Sequence, residues 1–136
     1  MIQANELRMG NLISHPHHEN CIVSKIYRDS ISVIIHDNVY TFSNRLLSPI
    51  PLTEEILIKF GFQQSKGKYG PSFHIMEDNG FVVMFTVEHW TDTEENSKWK
   101  NHWHVFGLLK GNKMKYVHQL QNLFFVLTGE ELQYNP

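Results

Sequence analysis

Residues 1–51 are cut into short β-branched runs by turn signals. None of these runs is long enough for a stable helix, so this part of the chain is limited to small antiparallel structure. Leu7-Arg8-Met9-Gly10-Asn11-Leu12-Ile13 enters a first strand after its Gly-Asn break. Asn20 to Tyr27 alternates around Ile22, Ser24 and Ile26, and Arg28-Asp29-Ser30 reads as a turn. Ile31 to His36 is a β-branched run, Asp37-Asn38 a hairpin turn, and Val39-Tyr40-Thr41-Phe42 the returning strand. Strands this short and closely spaced predict a small barrel. The opening Arg-x-Gly-Asn-x-Ile and the closing Leu46-Leu47-Ser48-Pro49-Ile50-Pro51-Leu52 give it an SH3-like outline.

Pro49 and Pro51 stiffen the exit, which sets a soft boundary between a barrel module at 1–51 and an α-β-β-β-α module at 52–136 that packs against it. Thr53 supplies an N-cap oxygen and Glu54 and Glu55 occupy the first turn, where the helix dipole favours acids. Ile56, Leu57 and Phe60 share one face of a helix over Glu54 to Phe60. Gly61 is placed to end that helix in a left-handed conformation while Phe62 folds back.

Lys66-Gly67-Lys68-Tyr69-Gly70-Pro71 reads as a loop, Ser72 to Met76 as a strand and Glu77-Asp78-Asn79-Gly80 as a turn. Phe81 to Trp90 and His102 to Leu109, joined by the polar tip Thr91 to Ser97, complete a three- or four-stranded antiparallel meander. After the Lys110-Gly111-Asn112 break, Met114 to Leu127 carries a helical stripe of Tyr116, Leu120, Leu123, Phe124 and Leu127, closed by Gly129 and predicted to lie across the meander. The fold class read from the sequence is therefore α+β.

A length of 136 residues with 41% hydrophobic side chains is enough for a buried core. No apolar run approaches the roughly 20 residues of a membrane-spanning helix, and Met1-Ile2-Gln3-Ala4-Asn5-Glu6 lacks the layout of a signal peptide. The expectation is a cytoplasmic protein without membrane contact. Cys21 is the one cysteine, which excludes an intrachain disulfide and a thiolate-rich metal site, and it reads as a small buried apolar residue. A net charge of −2 provides no global field for nucleic acid. Charge is nonetheless segregated: Glu77, Asp78, Glu88, Asp92, Glu94 and Glu95 fall in a stretch without Lys or Arg, and Lys98, Lys100, Lys110, Lys113 and Lys115 follow in a stretch without acids. Arms of a hairpin charged in this way attract each other without any ligand.

The chemistry concentrates between Glu88-His89-Trp90 and Trp99-Lys100-Asn101-His102-Trp103-His104, which together hold all three tryptophans. Lys98, Trp99, Lys100, His102, Trp103 and His104 interleave cations with rings, and Trp90 adds a further ring; this combination suits a nucleotide, a single-stranded nucleic acid or a protein partner. The plainer alternative is that Trp90 or Trp103 fills the core. His102 and His104, two apart on a strand, share a face as a metal-binding pair would. His89 joins them only if paired residue numbers in the hairpin sum to an odd value; an even sum sets it beside Trp103 and Val105. With His89 the set would make a zinc-dependent hydrolase, the enzyme alternative. His15-Pro16-His17-His18 reads as a hairpin tip that binds transition metals adventitiously. His36, His74 and His118 are single. There is no nucleophile elbow or phosphate-binding glycine loop, and the adjacent pairs Glu54-Glu55, Glu94-Glu95 and Glu130-Glu131 read as caps and solvated charge, so no catalytic residue is assigned.

Tyr116-Val117-His118-Gln119-Leu120-Gln121-Asn122-Leu123-Phe124-Phe125-Val126-Leu127-Thr128-Gly129-Glu130-Glu131-Leu132, together with Asn5 to Asn11 and Pro49 to Thr53, resembles a family of short uncharacterised proteins from Bacteroidetes genomes and their phages or prophages. The resemblance spans nearly the whole chain and carries no known activity. It implies a small intracellular accessory protein, phage-derived, that binds a host component or a nucleotide signal. The preferred function is non-enzymatic recognition; a self-associating structural subunit, hence a homo-oligomer, is a further alternative.

Overall fold

A computed structural model describes residues 2–78, 82–91, 102–105 and 114–136. It is a mixed α+β structure with mostly antiparallel strands and one long helix. The chain divides into two compact units, residues 1–51 with 116–123 and residues 52–115 with 124–136.

In the first unit, strands β1 (Leu12–His15), β2 (His18–Ile26), β3 (Ser30–Ile35), β4 (Asn38–Ser43) and β5 (Ser48–Pro49) form one sheet in the order β4-β3-β2-β1-β5. A 3-10 turn over Asn44–Leu46 precedes β5. Among the described residues β4 and β5 are each paired on one side, so the ladder forms an open five-stranded sheet. Its core follows from the β-branched runs: Ile13, Cys21, Val23, Ile31, Val33, Ile35 and Leu47 are buried together with Ile2. Leu7 and Phe42 pack against this cluster. Each such apolar side chain contributes about 1.5–3 kcal/mol on burial.

The β1–β2 register pairs His15 with His18, which leaves Pro16-His17 as the expected tip. The β3–β4 register pairs Ile35 with Asn38, so the turn is His36-Asp37, one residue earlier than the sequence suggests. Both residues have positive φ, 48° and 65°, the conformation whose twist matches a two-residue hairpin and which Asp and His tolerate better than most residues.

The second unit opens with α1 (Glu54–Lys59), capped by Thr53 Oγ1, which accepts the Ile56 N–H at 3.3 Å. Gly61, at φ 89°, donates its N–H to Ile58, and Phe62 donates to Leu57, so the helix stops as its sequence predicts. The sheet that follows has the order β6-β7-β8-β9, built from β6 (Gln63–Lys66), β7 (Pro71–Asp78), β8 (Val82–Trp90) and β9 (His102–Val105), all antiparallel. β6 makes the meander four-stranded and adds a strand to the α-β-β-β-α order expected. The expected turn at Asn79-Gly80, the tip over 92–97, the strand end over 106–109 and the break at 110–112 lie outside the described residues. Leu57, Phe60, Phe62, Phe73, Val87 and Trp103 are buried here. The tail returns to α1, where Asn135 donates its N–H to the Lys59 carbonyl and the Tyr134 ring meets Phe60 edge-on.

Helix α2 (Val117–Thr128) starts three residues later than its periodicity suggests. Met114 bridges to Trp103 and Tyr116 to Pro51, so this stretch is extended backbone paired to distant segments. The buried residues of α2 are Val117, His118, Leu120, Gln121 and Phe124, whereas Leu127, expected in the stripe, is 48% exposed. Nor does the helix belong wholly to the meander. Gln121 accepts the Leu12 N–H at 2.9 Å and donates to the Gly10 carbonyl, and Asn122 accepts from Asn11 and donates to Glu6. The first half of α2 thus completes the first unit.

Candidate binding face on the second sheet

The β8–β9 register decides which rings meet. Val87 pairs with Val105, Glu88 with His104, His89 with Trp103 and Trp90 with His102. Directly paired residues project to the same side of an antiparallel sheet, so Val87, His89, Trp103 and Val105 share one face and Glu88, Trp90, His102 and His104 the other.

The first of these faces is interior. Trp103 is 6% exposed, stacks flat on His89 at 4.3 Å and meets the buried Phe73 at 5.9 Å. The expectation that Trp90 or Trp103 fills the core is met by Trp103. This parity also separates His89 from His102 and His104, so the three histidines of the zinc alternative do not come together. Among the described residues no group of three or more His, Cys, Asp or Glu is arranged to hold a metal ion.

The second face carries a run of rings. Trp90 meets the His104 imidazole at 4.6 Å on one side and Tyr69 at 4.8 Å on the other. Its indole N–H donates to Glu88 Oε2 at 2.8 Å, which fixes the ring's rotation. His104 is buried, while Trp90 and His102 are half-buried. Lys98, Trp99 and Lys100, the most strongly basic part of the expected site, lie outside the described residues.

Tyr69 is the member that sequence reading missed, because it sits in a segment whose glycines and proline mark only a loop. That loop is positioned closely. Thr91 donates its N–H to the Tyr69 carbonyl and Gly67 to the Gly70 carbonyl. A Cβ at Gly70 would collide with the His89 carbonyl oxygen and lie 2.7 Å from Thr91 Oγ1, so only glycine lets the loop lie against the end of β8. Lys68 Nζ stands 5.1 Å from the centre of the Tyr69 ring, a cation–π distance. Beside it Gln64, Ser65, Lys66, Gly67, Gly70 and Pro71 line a cavity of about 410 Å³. The face therefore offers ring surfaces and a carboxylate acceptor, next to a glycine-containing loop with two lysines.

The histidines of the β1–β2 hairpin pack against one another. His15 stacks on Phe42 at 4.2 Å and lies 5.5–5.7 Å from the His18 and His17 rings. Partial desolvation, and then the neighbouring histidines, lower its pKa from the usual histidine value. Cys21 is buried with its thiol pushed up by burial, the state of an inert structural cysteine.

The chain matches no protein-family model, no curated protein and no solved structure. Among the described residues no helix is long and apolar enough to cross a membrane.

Proposed function

We propose that the protein is a non-enzymatic recognition module, a phage-derived cytoplasmic accessory, that takes a nucleotide or single-stranded nucleic acid on the ring-bearing face of the β6–β9 sheet. The observation that carries this reading is the Tyr69–Trp90–His104 run of rings beside Lys66 and Lys68. Every base has a π-face, and stacking on an aromatic side chain is worth about 1–3 kcal/mol, while lysines attract the phosphates. Glu88, held by the Trp90 indole, supplies an acceptor for base amino groups at the same place. The first unit is read as an SH3-like barrel; the order β5-β1-β2-β3-β4 and the 3-10 turn ahead of β5 support it.

The test is a fluorescence titration with adenosine monophosphate and with a short mixed-sequence single strand, at low and high salt. Trp90→Ala and Tyr69→Ala are each expected to weaken binding about tenfold, the equivalent of one stacking contact. If wild type binds neither probe, or if both variants bind as wild type does, the reading is rejected.

A second reading, self-association, is favoured by β4, an edge strand whose Val39 and Tyr40 side chains are exposed. A monomeric mass by light scattering at high concentration overturns it.

A further inference from the structure

The two edges of the first sheet are finished differently. β5 is two residues long and contains Pro49, which has no N–H to offer a further strand. β4 is six residues long and pairs with β3 without a bulge, from Ser30–Ser43 to Ile35–Asn38. Its sequence, Asn38-Val39-Tyr40-Thr41-Phe42-Ser43, carries no charge, proline or glycine. Among the described residues no strand lies on its other side. The devices that keep an edge from pairing are thus present on β5 and missing from β4.

The hairpin determines which backbone groups of β4 are spare. With His36-Asp37 as a two-residue turn, both at positive φ, Ile35 and Asn38 close the ladder as a hydrogen-bonded pair. Bonding to β3 then alternates along the strand. It falls on Asn38, Tyr40 and Phe42, and the N–H and C=O groups of Val39, Thr41 and Ser43 point outward. The neighbouring ladder agrees, because Ser30, opposite Ser43, turns its carbonyl toward β2 and accepts the Tyr27 N–H at 2.9 Å. Side chains alternate as well. Tyr40 and Phe42 pair with the buried Val33 and Ile31, so both rings lie on the core side of the sheet. Tyr40 is 46% exposed there, nearly parallel to Phe42 at 6.2 Å.

Charge indicates what such an edge would meet. Asp37 stands just before β4 and Arg45 just after it, both exposed. Arg28 and Asp29, beside Arg45, offset one another, so one end of the strand is acidic and the other basic. An antiparallel partner brings its start to the end of β4, and a second copy of β4 therefore sets acid against base at both ends. The same two residues select the register. Asp37 faces Arg45 of the second copy only when Thr41 faces its own counterpart. In that register Val39 faces Ser43, so each outward residue finds a partner, and Tyr40 faces Phe42.

We propose that β4 pairs antiparallel with β4 of a second copy about a two-fold axis at Thr41, joining two five-stranded sheets into one continuous sheet. The proposal rests on the self-association reading and gives it a surface and a register. The two Thr41 residues exchange backbone hydrogen bonds, as do Val39 and Ser43 of opposite copies, and Tyr40 covers its exposed ring with Phe42 of the second copy. A single strand edge buries less than the about 1,200 Å² at which stable interfaces begin, so the dimer is a weak one that forms at high micromolar concentration.

Sedimentation equilibrium of the full chain, from low micromolar to millimolar concentration, should show a monomer–dimer equilibrium. Thr41→Pro keeps the bonds to β3, since the N–H it removes points outward, and should weaken dimerisation about tenfold or more. Thr41→Lys sets like charges against each other across the axis and should do the same, which covers the case of a proline variant that fails to fold. Oxidation of cysteine variants reads the register. Thr41→Cys should form a covalent dimer, its α-carbons lying about 5.5 Å apart across the axis, whereas Val39→Cys, about 14 Å from its counterpart, should not. Cys21 is fully buried and does not compete. A wild type that stays monomeric at millimolar concentration overturns the proposal and the self-association reading together, and leaves the β4 edge to a strand of another protein. A dimer that survives both Thr41→Pro and Thr41→Lys, or that cross-links through Val39→Cys and not through Thr41→Cys, overturns the β4 pairing alone.

Discussion

The two sheets distribute their large side chains differently. The first sheet buries a continuous aliphatic cluster from Ile13 through Val33 to Leu47. The second relies on Phe60, Phe62, Phe73 and Trp103 in its interior, yet places further rings, Tyr69 and Trp90, in half-exposed positions on its other side. Aliphatic β-branched residues are restricted in rotamer and interlock, so they specify register and serve little else. Rings that remain half-exposed gain less from burial than fully buried ones and keep part of their surface in contact with water. The first sheet exposes rings as well, Tyr27 and Tyr40, so what separates the two sheets is an aliphatic core in one and an aromatic core in the other.

The sharpest way to break that contrast is to truncate one member of each set. Ile31→Ala, at a fully buried position, should lower stability by about 2–5 kcal/mol in urea denaturation. Trp90→Ala removes a larger side chain but should cost less than Ile31→Ala, because Trp90 is only half-buried. The reverse ranking would show that the second face is core.

A smaller effect, about 1–3 kcal/mol, is expected for Gln121→Ala, which strands the buried Leu12 N–H and the Gly10 carbonyl. Gln121→Glu should restore the acceptor for Leu12 but not the donor for Gly10, and so recover part of the loss in the same urea assay.

The smallest effect concerns His118, which is 1% exposed and has no hydrogen bond on either ring nitrogen; Glu6 is the charged group facing it, at 3.9 Å, and the Tyr116 ring stacks beside it. Burial outweighs the attraction of Glu6 and lowers its pKa below the ordinary 6.5. The unfolded chain therefore takes up this proton first on acidification. The stability due to His118 is complete above pH 6.5 and declines as pH falls from there toward the lowered folded value. Urea unfolding of wild type and His118→Leu on both sides of pH 6.5 checks this: the variant should lose less stability on the acid side.

What could be read from the sequence was what neighbouring residues determine. Thr53, Glu54, Glu55 and Gly61 announce α1 because caps and dipole are local, and the strands of the first sheet follow from local alternation. The hairpin at His36-Asp37 was misplaced by one residue because both Asp37 and Asn38 are good turn formers and only the ladder register chooses between them. The start of α2 was misjudged because Lys115 accepts from Leu52 and Ile50 accepts from Val117, partners far away in the chain that helical periodicity does not encode. The site was legible only as a neighbourhood. Trp90, His102 and His104 do share a face, but the parity that places them there and excludes His89 is a property of pairing across the hairpin. Tyr69 reached the site through a glycine-dependent approach that composition does not reveal.

The amides of Gln121 and Asn122 have a consequence for synthesis. They close the polar groups of Gly10, Leu12 and Asn11 from 109 to 111 positions downstream. A ribosome delivers the five strands of the first sheet well before it delivers these two side chains. The nascent sheet must therefore wait, with those groups still hydrated, while nearly the whole remaining chain is translated. Final closure of the N-terminal unit is a late, high-contact-order event, and a ribosome stalled just short of α2 should hold a loosened first sheet.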